Sequence, residues 1–130
     1  YVFSSPLQRA MTTAISIVGD YVSITYDDRL KERSYGDWSG LNKSDVRAKI
    51  GDDAFFSARR GWSTSPPNGE SLKDVSLRVL SFIDSLPSSG NILVVSHGNT
   101  IRAISVLLGI NTEEEVSSYE IKTGTFLLYE

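Results

Sequence analysis

The chain has 130 residues, 40% of them hydrophobic and 22% charged, with one histidine, no cysteine and a formal net charge of −3. That length supports a single domain, residues 1–130, able to bury roughly two thirds of the surface its unfolded form exposes, and the composition is that of a globular protein. The acidic balance argues against a nucleic-acid binder, the missing cysteines and lone histidine exclude a disulfide framework and a zinc cluster, and no apolar run approaches the ~18 residues a bilayer span needs. No stretch resembles a signal peptide, although the chain opens at Tyr1 inside an apolar run with no initiator methionine.

Taken in chain order, "YVFSS" reads as a strand running into the helix "PLQRAMTTAISIVGDY", with Ser5 as N-cap and Pro6 at the first helical position. Leu7, Ala10, Ala14, Ile17 and Val18 form its apolar face at helical spacing. "VSITYDD" alternates as a short strand, and "RLKERSYGDWSGLN" has neither period and reads as a long exposed loop of the kind that often carries function. "NKSDVRAKIGDDAFFSARRG" predicts two short helices broken near Gly51, followed by the turn-rich "WSTSPPNGES". The helix "SLKDVSLRVLSFIDSL" has an apolar stripe in Leu72, Val75, Val79, Leu80 and Ile83. Then come the buried strand "NILVVS", the helix "NTIRAISVLLG", a short helix at "TEEEVSS" and a closing strand in "TFLLYE". Alternating strands and helices with sheet-length apolar runs predict a three-layer α/β/α sandwich on a mostly parallel sheet.

Two strand-to-helix corners share a design. In "FSSPLQRA" and in "VSHGNTIRA" a strand's carboxyl end delivers polar residues to a helix N-terminus, where free N–H groups and the helix dipole attract anions. Open α/β sheets bind ligands at that edge, so Arg9 and His97 are expected to face one crevice suited to phosphate. Alone, each corner also fits a solvated arginine, a structural histidine and a tight turn. Arg33, Lys43, Arg59 and Arg60 fall in or beside the irregular middle segment, and arginine pairs suit a bidentate grasp of carboxylate or phosphate. Glu32 sits between Lys31 and Arg33 in that loop, where bound anions would raise its pKa and let it serve as a general acid. A positive crevice with one protonatable carboxyl fits phosphoryl transfer. The acidic pairs Asp27-Asp28 and Asp52-Asp53 and the run Glu113 to Glu115 lie outside these blocks, so no metal is expected.

"SSPLQRAMTTA", "LKERSYGDWSGLNK", "ARRGWSTSPPNGESLKD", "SHGNTIRA" and "KTGTFLLYE" together resemble the 2,3-bisphosphoglycerate-dependent phosphoglycerate mutases of the histidine phosphatase superfamily, over essentially the whole chain. The resemblance implies that the protein interconverts 3-phosphoglycerate and 2-phosphoglycerate through a phosphohistidine, primed by 2,3-bisphosphoglycerate and without metal. It implies Arg9 and His97 as clamps on the transferred phosphoryl group and Glu32 as proton shuttle. Tyr35, Lys43, Arg59 and Arg60, with Arg33 nearby, would hold the glycerate's carboxylate and distal phosphate, while Gly98 and Asn99 would bring N–H groups to the ligand. A small phosphorylated substrate, a cytoplasmic location, and no nucleic-acid or membrane partner go with that reading, and a homo-oligomer is compatible with it.

The family also carries an Arg-His-Gly motif at the end of its first strand, and that histidine accepts the phosphoryl group. No such motif is present here. On the family layout the first strand and helix are absent, so the sheet is expected to lack a central member, and the 130 residues alone are expected to be inactive. Two alternatives stay open beside the mutase: a phosphatase of the same superfamily acting on a small phosphorylated metabolite, and a non-catalytic phosphate-binding module.

Overall fold

Three short parallel strands form the centre of the computed structural model, which describes all 130 residues. Strand β1 (Val2–Ser4) lies between β2 (Ile24–Tyr26) and β3 (Leu93–Val95), with Val2 opposite Ile24 and Leu93, and Ser4 opposite Tyr26 and Val95. Parallel neighbours require crossovers. Helix α1 (Gln8–Val18) makes the first, and α2 (Lys43–Ile50), α3 (Asp52–Arg60) and α4 (Leu72–Asp84) lie on the long return to β3, which α5 (Gly98–Leu107) follows.

Side chains alternate across a strand, so Val2, Ile24, Leu93 and Val95 share one face of the sheet. The small residues Ala10 and Ala14 bring α1 close against Val95, Leu93 and Ile24 there. Phe3 points to the other face and meets Phe82 of α4 edge-on, ring centroids 5.4 Å apart. Beside it α4 packs on α5 through Val75, Val79 and Ala103. The expected three layers and parallel sheet are therefore present.

Helix limits and faces differ in detail. α1 starts at Gln8 with Leu7 as N-cap, because the Ser5 hydroxyl accepts from Leu7 N at 3.2 Å and turns to His97 instead of capping the helix. It ends at Val18, where Gly19 takes φ 61° and a 3-10 turn follows, and Ile17 of the expected apolar face is 58% exposed. In α4 Leu80 is exposed and Phe82 buried, since the stripe turns to meet both Phe3 and α5. The start of α4 is fixed by a capping box between Ser71 and Asp74. "TEEEVSS" contracts to a 3-10 turn at Glu115–Ser118 that buries Val116. The expected closing strand does not form: residues 121 to 130 are irregular and leave Phe126 and Leu128 in solvent. A strand is held by its ladder, and the sheet ends at β3 with no strand beyond it.

Two loops meet backbone to backbone beside the site. Asp37 N donates to Pro67 O and Glu70 N to Ser34 O, each at 2.9 Å, and Gly36 sits between them at φ 53° with no room for a Cβ beside the Pro67 carbonyl. Gly36→Ala combines a left-handed alanine with overpacking and is expected to cost about 2–4 kcal/mol, read as a fall in urea midpoint at constant m-value.

Candidate active site

The carboxyl ends of the three strands are tied together before any functional side chain is placed. Ser5 N donates to Val95 O at 2.9 Å and Asp27 N to Ser4 O at 3.0 Å, which holds the residues after β1, β2 and β3 at one edge. At that edge α5 begins with His97 as N-cap, its imidazole not capping the helix. The first-turn N–H groups of Gly98, Asn99 and Thr100 therefore have no carbonyl of their own helix to bond, and they attract anions.

The loop carrying Glu32 is fastened from several sides. Ser96 Oγ donates to Leu30 O and Thr100 Oγ1 to Lys31 O, both at 2.8 Å. Arg78 of α4 donates to the carbonyls of Arg29 (2.6 Å), Lys31 (2.9 Å) and Glu32 (3.3 Å) while its Nε pairs with Glu70 at 2.9 Å. Burial alone would raise the Glu70 carboxyl, but the Arg78 bonds and the Ser34 N–H hold it below its usual range. Glu32 itself is half-buried; Oε1 accepts from Arg33 N at 2.8 Å, and no protein donor engages Oε2.

Arg33 corrects the sequence reading. It is 2% exposed and donates to the carbonyls of Glu70 (2.5 Å), Arg59 (2.6 Å), Ala58 and Thr64 (3.2 Å). Burial lowers its pKa, and its donors are spent on the loop's scaffold instead of a substrate. A cation flanking a candidate acid has the same appearance in sequence whether it faces a ligand or the interior.

Tyr35, Lys43 and Arg59 do come together, lining with Trp38, Leu41 and Phe55 a cleft of about 160 Å³. Trp38 stacks on Phe55 at 5.9 Å, and the Arg59 guanidinium lies 5.6 Å from the Phe55 centroid. The Tyr35 hydroxyl accepts from Asn99 Nδ2 at 2.9 Å, which links this cleft to the start of α5. Asn99 thus uses its side chain within the protein. Arg60 turns towards the segment after α5, donating to Ser117 O at 3.2 Å and reaching Glu120 at 3.6 Å. Arg9 is exposed, and no hydrogen bond or ion pair engages its guanidinium. Three residues were not assigned to the site from sequence: Ser5 behind His97, which reads there as an N-cap, Arg78 under Glu32, and Arg102. Arg102 is buried, donating to Tyr119 O at 2.9 Å and Asn99 Oδ1 at 3.3 Å; burial and the neighbouring Arg60 lower its pKa. The i, i+3 spacing of Asn99 and Arg102 on one helix is the only signal that would have found it.

Electrostatics place His97 at the positive centre of the crevice. Burial, then Arg9 and Arg78, lower its pKa to about 4, so the imidazole is neutral at pH 7. The unfolded chain, with an ordinary imidazole pKa near 6.5, binds the proton first, so this residue's contribution is intact above about pH 6.5 and is lost as pH falls towards 4. At about 1.4 kcal/mol per unit the loss reaches about 3 kcal/mol. An NMR titration of the single imidazole is expected to show a midpoint near 4, and one near 6.5 would contradict it.

Fold and crevice define an α/β protein that gathers cationic side chains and free first-turn N–H groups at the carboxyl edge of a parallel sheet. The chain belongs to the histidine phosphatase superfamily (branch 1), whose family model matches residues 1–126. It is 40% identical to the 2,3-bisphosphoglycerate-dependent phosphoglycerate mutase of Beijerinckia indica, over 98% of this chain and 66% of that protein. With the enzyme of that name from Methylobacterium radiotolerans the figures are 38%, 98% and 64%. The chain thus spans just under two thirds of the length of these relatives. Among solved structures, a mycobacterial glucosyl-3-phosphoglycerate phosphatase bound to inorganic phosphate is similar at a TM-score of 0.77 and 28% identity, covering 92% of this chain and 63% of that one. The alpha-ribazole phosphatase from Shigella flexneri is similar at 0.75 and 28%, covering 95% and 63%. No helix is long and apolar enough to cross a membrane.

Proposed function

We propose that this chain supplies the phosphate clamp, acid–base group and carboxylate site of a phosphoglycerate mutase, which moves a phosphoryl group between the 3- and 2-hydroxyls of glycerate by way of a phosphohistidine that His97 does not provide, in the cytoplasm where such metabolites are dissolved. The observation that carries the reading is the cleft of Tyr35, Lys43 and Arg59, joined through Asn99 to the His97 corner. With a phosphoryl group at that corner, Lys43 and Arg59 are the cations assigned to the substrate's carboxylate. 2,3-Bisphosphoglycerate primes the enzyme by passing one phosphoryl group to that accepting imidazole and leaving as a phosphoglycerate, and the unengaged Arg9, the first-turn N–H groups of α5, Lys43 and Arg59 suit a ligand with an anion at each end.

Each residue then has a task. Arg9, neutral His97 and the α5 amides stabilise charge on the phosphoryl oxygens. Glu32, held by Arg78 and with Oε2 open, exchanges a proton with the substrate hydroxyl. Lys43 and Arg59 fix the carboxylate, which decides which hydroxyl faces the phosphoryl group.

In enzyme that turns over, Glu32→Gln is expected to lower kcat by about 10² to 10⁴ with little change in phosphate affinity. Arg59→Ala is expected to raise KM by about 10- to 100-fold, the loss of a charge-assisted bond made in ground and transition states alike. Arg60→Ala should also weaken binding, by releasing the segment it holds at Ser117 and Glu120. Near-normal turnover in Glu32→Gln would show that the loop is structural.

A phosphatase is the second reading, favoured by the apolar wall of Trp38, Leu41 and Phe55, which suits a substrate larger than glycerate. A coupled assay for 2-phosphoglycerate formed from 3-phosphoglycerate, run beside an assay for released inorganic phosphate, separates the two.

A further inference from the structure

The imidazole of His97 is gripped from behind. Its Nε2 lies 2.8 Å from Ser5 Oγ, with Ser5 fully buried and His97 only 7% exposed. The contact follows from the sheet: β1 and β3 are neighbours, and the Ser5 N–H bond to Val95 O brings the residues beyond their ends together. Ser5 Oγ already accepts the Leu7 N–H, and His97 Nε2 is the only acceptor its hydroxyl hydrogen meets. A proton on Nε2 would leave that hydroxyl hydrogen buried without a partner, at its full desolvation cost. Every donor is satisfied when Ser5 Oγ–H donates to a bare Nε2, which puts the imidazole proton on Nδ1. Nδ1 makes no bond within the protein and does not cap α5, and no buried side-chain nitrogen lacks a partner, so Nδ1 opens on the crevice.

We propose that Ser5 is a positioning residue that fixes His97 as the Nδ1–H tautomer and turns that neutral donor towards a phosphoryl oxygen. The second half of this rests on the reading of the crevice as a phosphoryl site; the first half rests on the Ser5 contact alone. The hydroxyl selects the tautomer that a free imidazole side chain disfavours, and it directs the remaining nitrogen lone pair at Ser5, away from the ligand.

Because the chain has a single histidine, two-bond proton–nitrogen correlation spectra of the ¹⁵N-labelled protein at neutral pH report this ring alone. The expected pattern is a protonated, pyrrole-like Nδ1 and a bare, pyridine-like Nε2. Ser5→Ala should make Nε2–H the majority form, and Ser5→Thr, which keeps the hydroxyl, should restore the original pattern. A wild-type ring protonated on Nε2, or an unchanged pattern in a folded Ser5→Ala, overturns the assignment; if Ser5→Ala does not fold, the wild-type and Ser5→Thr spectra decide it. Added inorganic phosphate should shift the Nδ1 resonance. The expected tautomer with no response to phosphate overturns the phosphoryl half of the inference and, with it, the clamp reading of the proposed function, while Ser5's hold on the tautomer stands.

Discussion

Arg33→Ala is expected to destabilise the protein by about 3 kcal/mol or more, a larger effect than removing any exposed cation of the site. The guanidinium satisfies four backbone carbonyls, those of Ala58, Arg59, Thr64 and Glu70. Two of them, on Ala58 and Arg59, belong to the C-terminal turn of α3, where carbonyls have no helical partner and a cation is favoured. Leaving a buried acceptor unmade costs about 1–3 kcal/mol, and even partial hydration of the vacated space leaves more than one of the four unpaired. Arg33→Lys should recover only part of the loss, because a point-like ammonium cannot span carbonyls on three segments. Urea unfolding followed by the fluorescence of Trp38 and Trp62, which flank the clamped loops, measures both variants. An Arg33→Ala midpoint within error of wild type would return Arg33 to the list of ligand-facing residues.

Arg33 also marks where reading from sequence runs out. The alternation of strands and helices, the apolar faces around Ala10, Ala14, Val75 and Val79, and the two strand-to-helix corners are local patterns of period and end chemistry, and they reappear in the fold. Which way a loop cation points is decided by contacts far along the chain: the Arg33 bonds reach 25 to 37 residues away. The same distance hides Arg78, whose guanidinium supports the Glu32 loop 46 to 49 residues earlier, and Ser5, which meets His97 across 92 residues. In "VSLRVLSF" Arg78 looks like a solvated helix residue, and in "FSSPLQ" Ser5 looks like an N-cap. The closing strand failed for a different reason. "TFLLYE" has strand propensity, but propensity expresses itself only beside a partner, and this segment lies against none.

One arrangement serves both stability and chemistry at the His97 corner. Ser5, Ser96 and Thr100 use short hydroxyls to stitch β1, the Glu32 loop and the start of α5 together without adding charge to a crevice that already concentrates Arg9 and Arg78 around the imidazole. Burial first, and the neighbouring cations Arg9 and Arg78 second, disfavour a positive charge on His97, so the imidazole meets an anion as a neutral donor. On the proposed function, the ligand meets a site whose hydrogen-bond donors are already aimed, and pre-aimed dipoles cost no reorganisation during transfer.

Incubated with 2,3-bisphosphoglycerate, the 130-residue chain is expected to bind the anion but to form no phosphohistidine, its rate at least about 10³-fold below that of a working mutase, a barrier difference of about 4 kcal/mol. Attack on phosphorus needs a nitrogen lone pair in line with the leaving oxygen. The ring has one bare nitrogen, Nε2, and it faces the Ser5 hydroxyl at 2.8 Å inside the protein. The nitrogen that faces the crevice carries the proton, and its lone pair belongs to the aromatic ring. Turning the imidazole over would break the Ser5 bond, bury Nδ1 in a space shaped for Nε2, and remove a clamp that no second histidine can replace. The experiment compares the chain, purified free of host enzyme, with a relative such as the Beijerinckia indica mutase, looking for an acid-labile, base-stable adduct and mapping it by mass spectrometry. Adduct on His97 forming within about tenfold of the relative's rate, a barrier difference of about 1.4 kcal/mol, would make this histidine the nucleophile, and Ser5 would then be the group that holds it for attack.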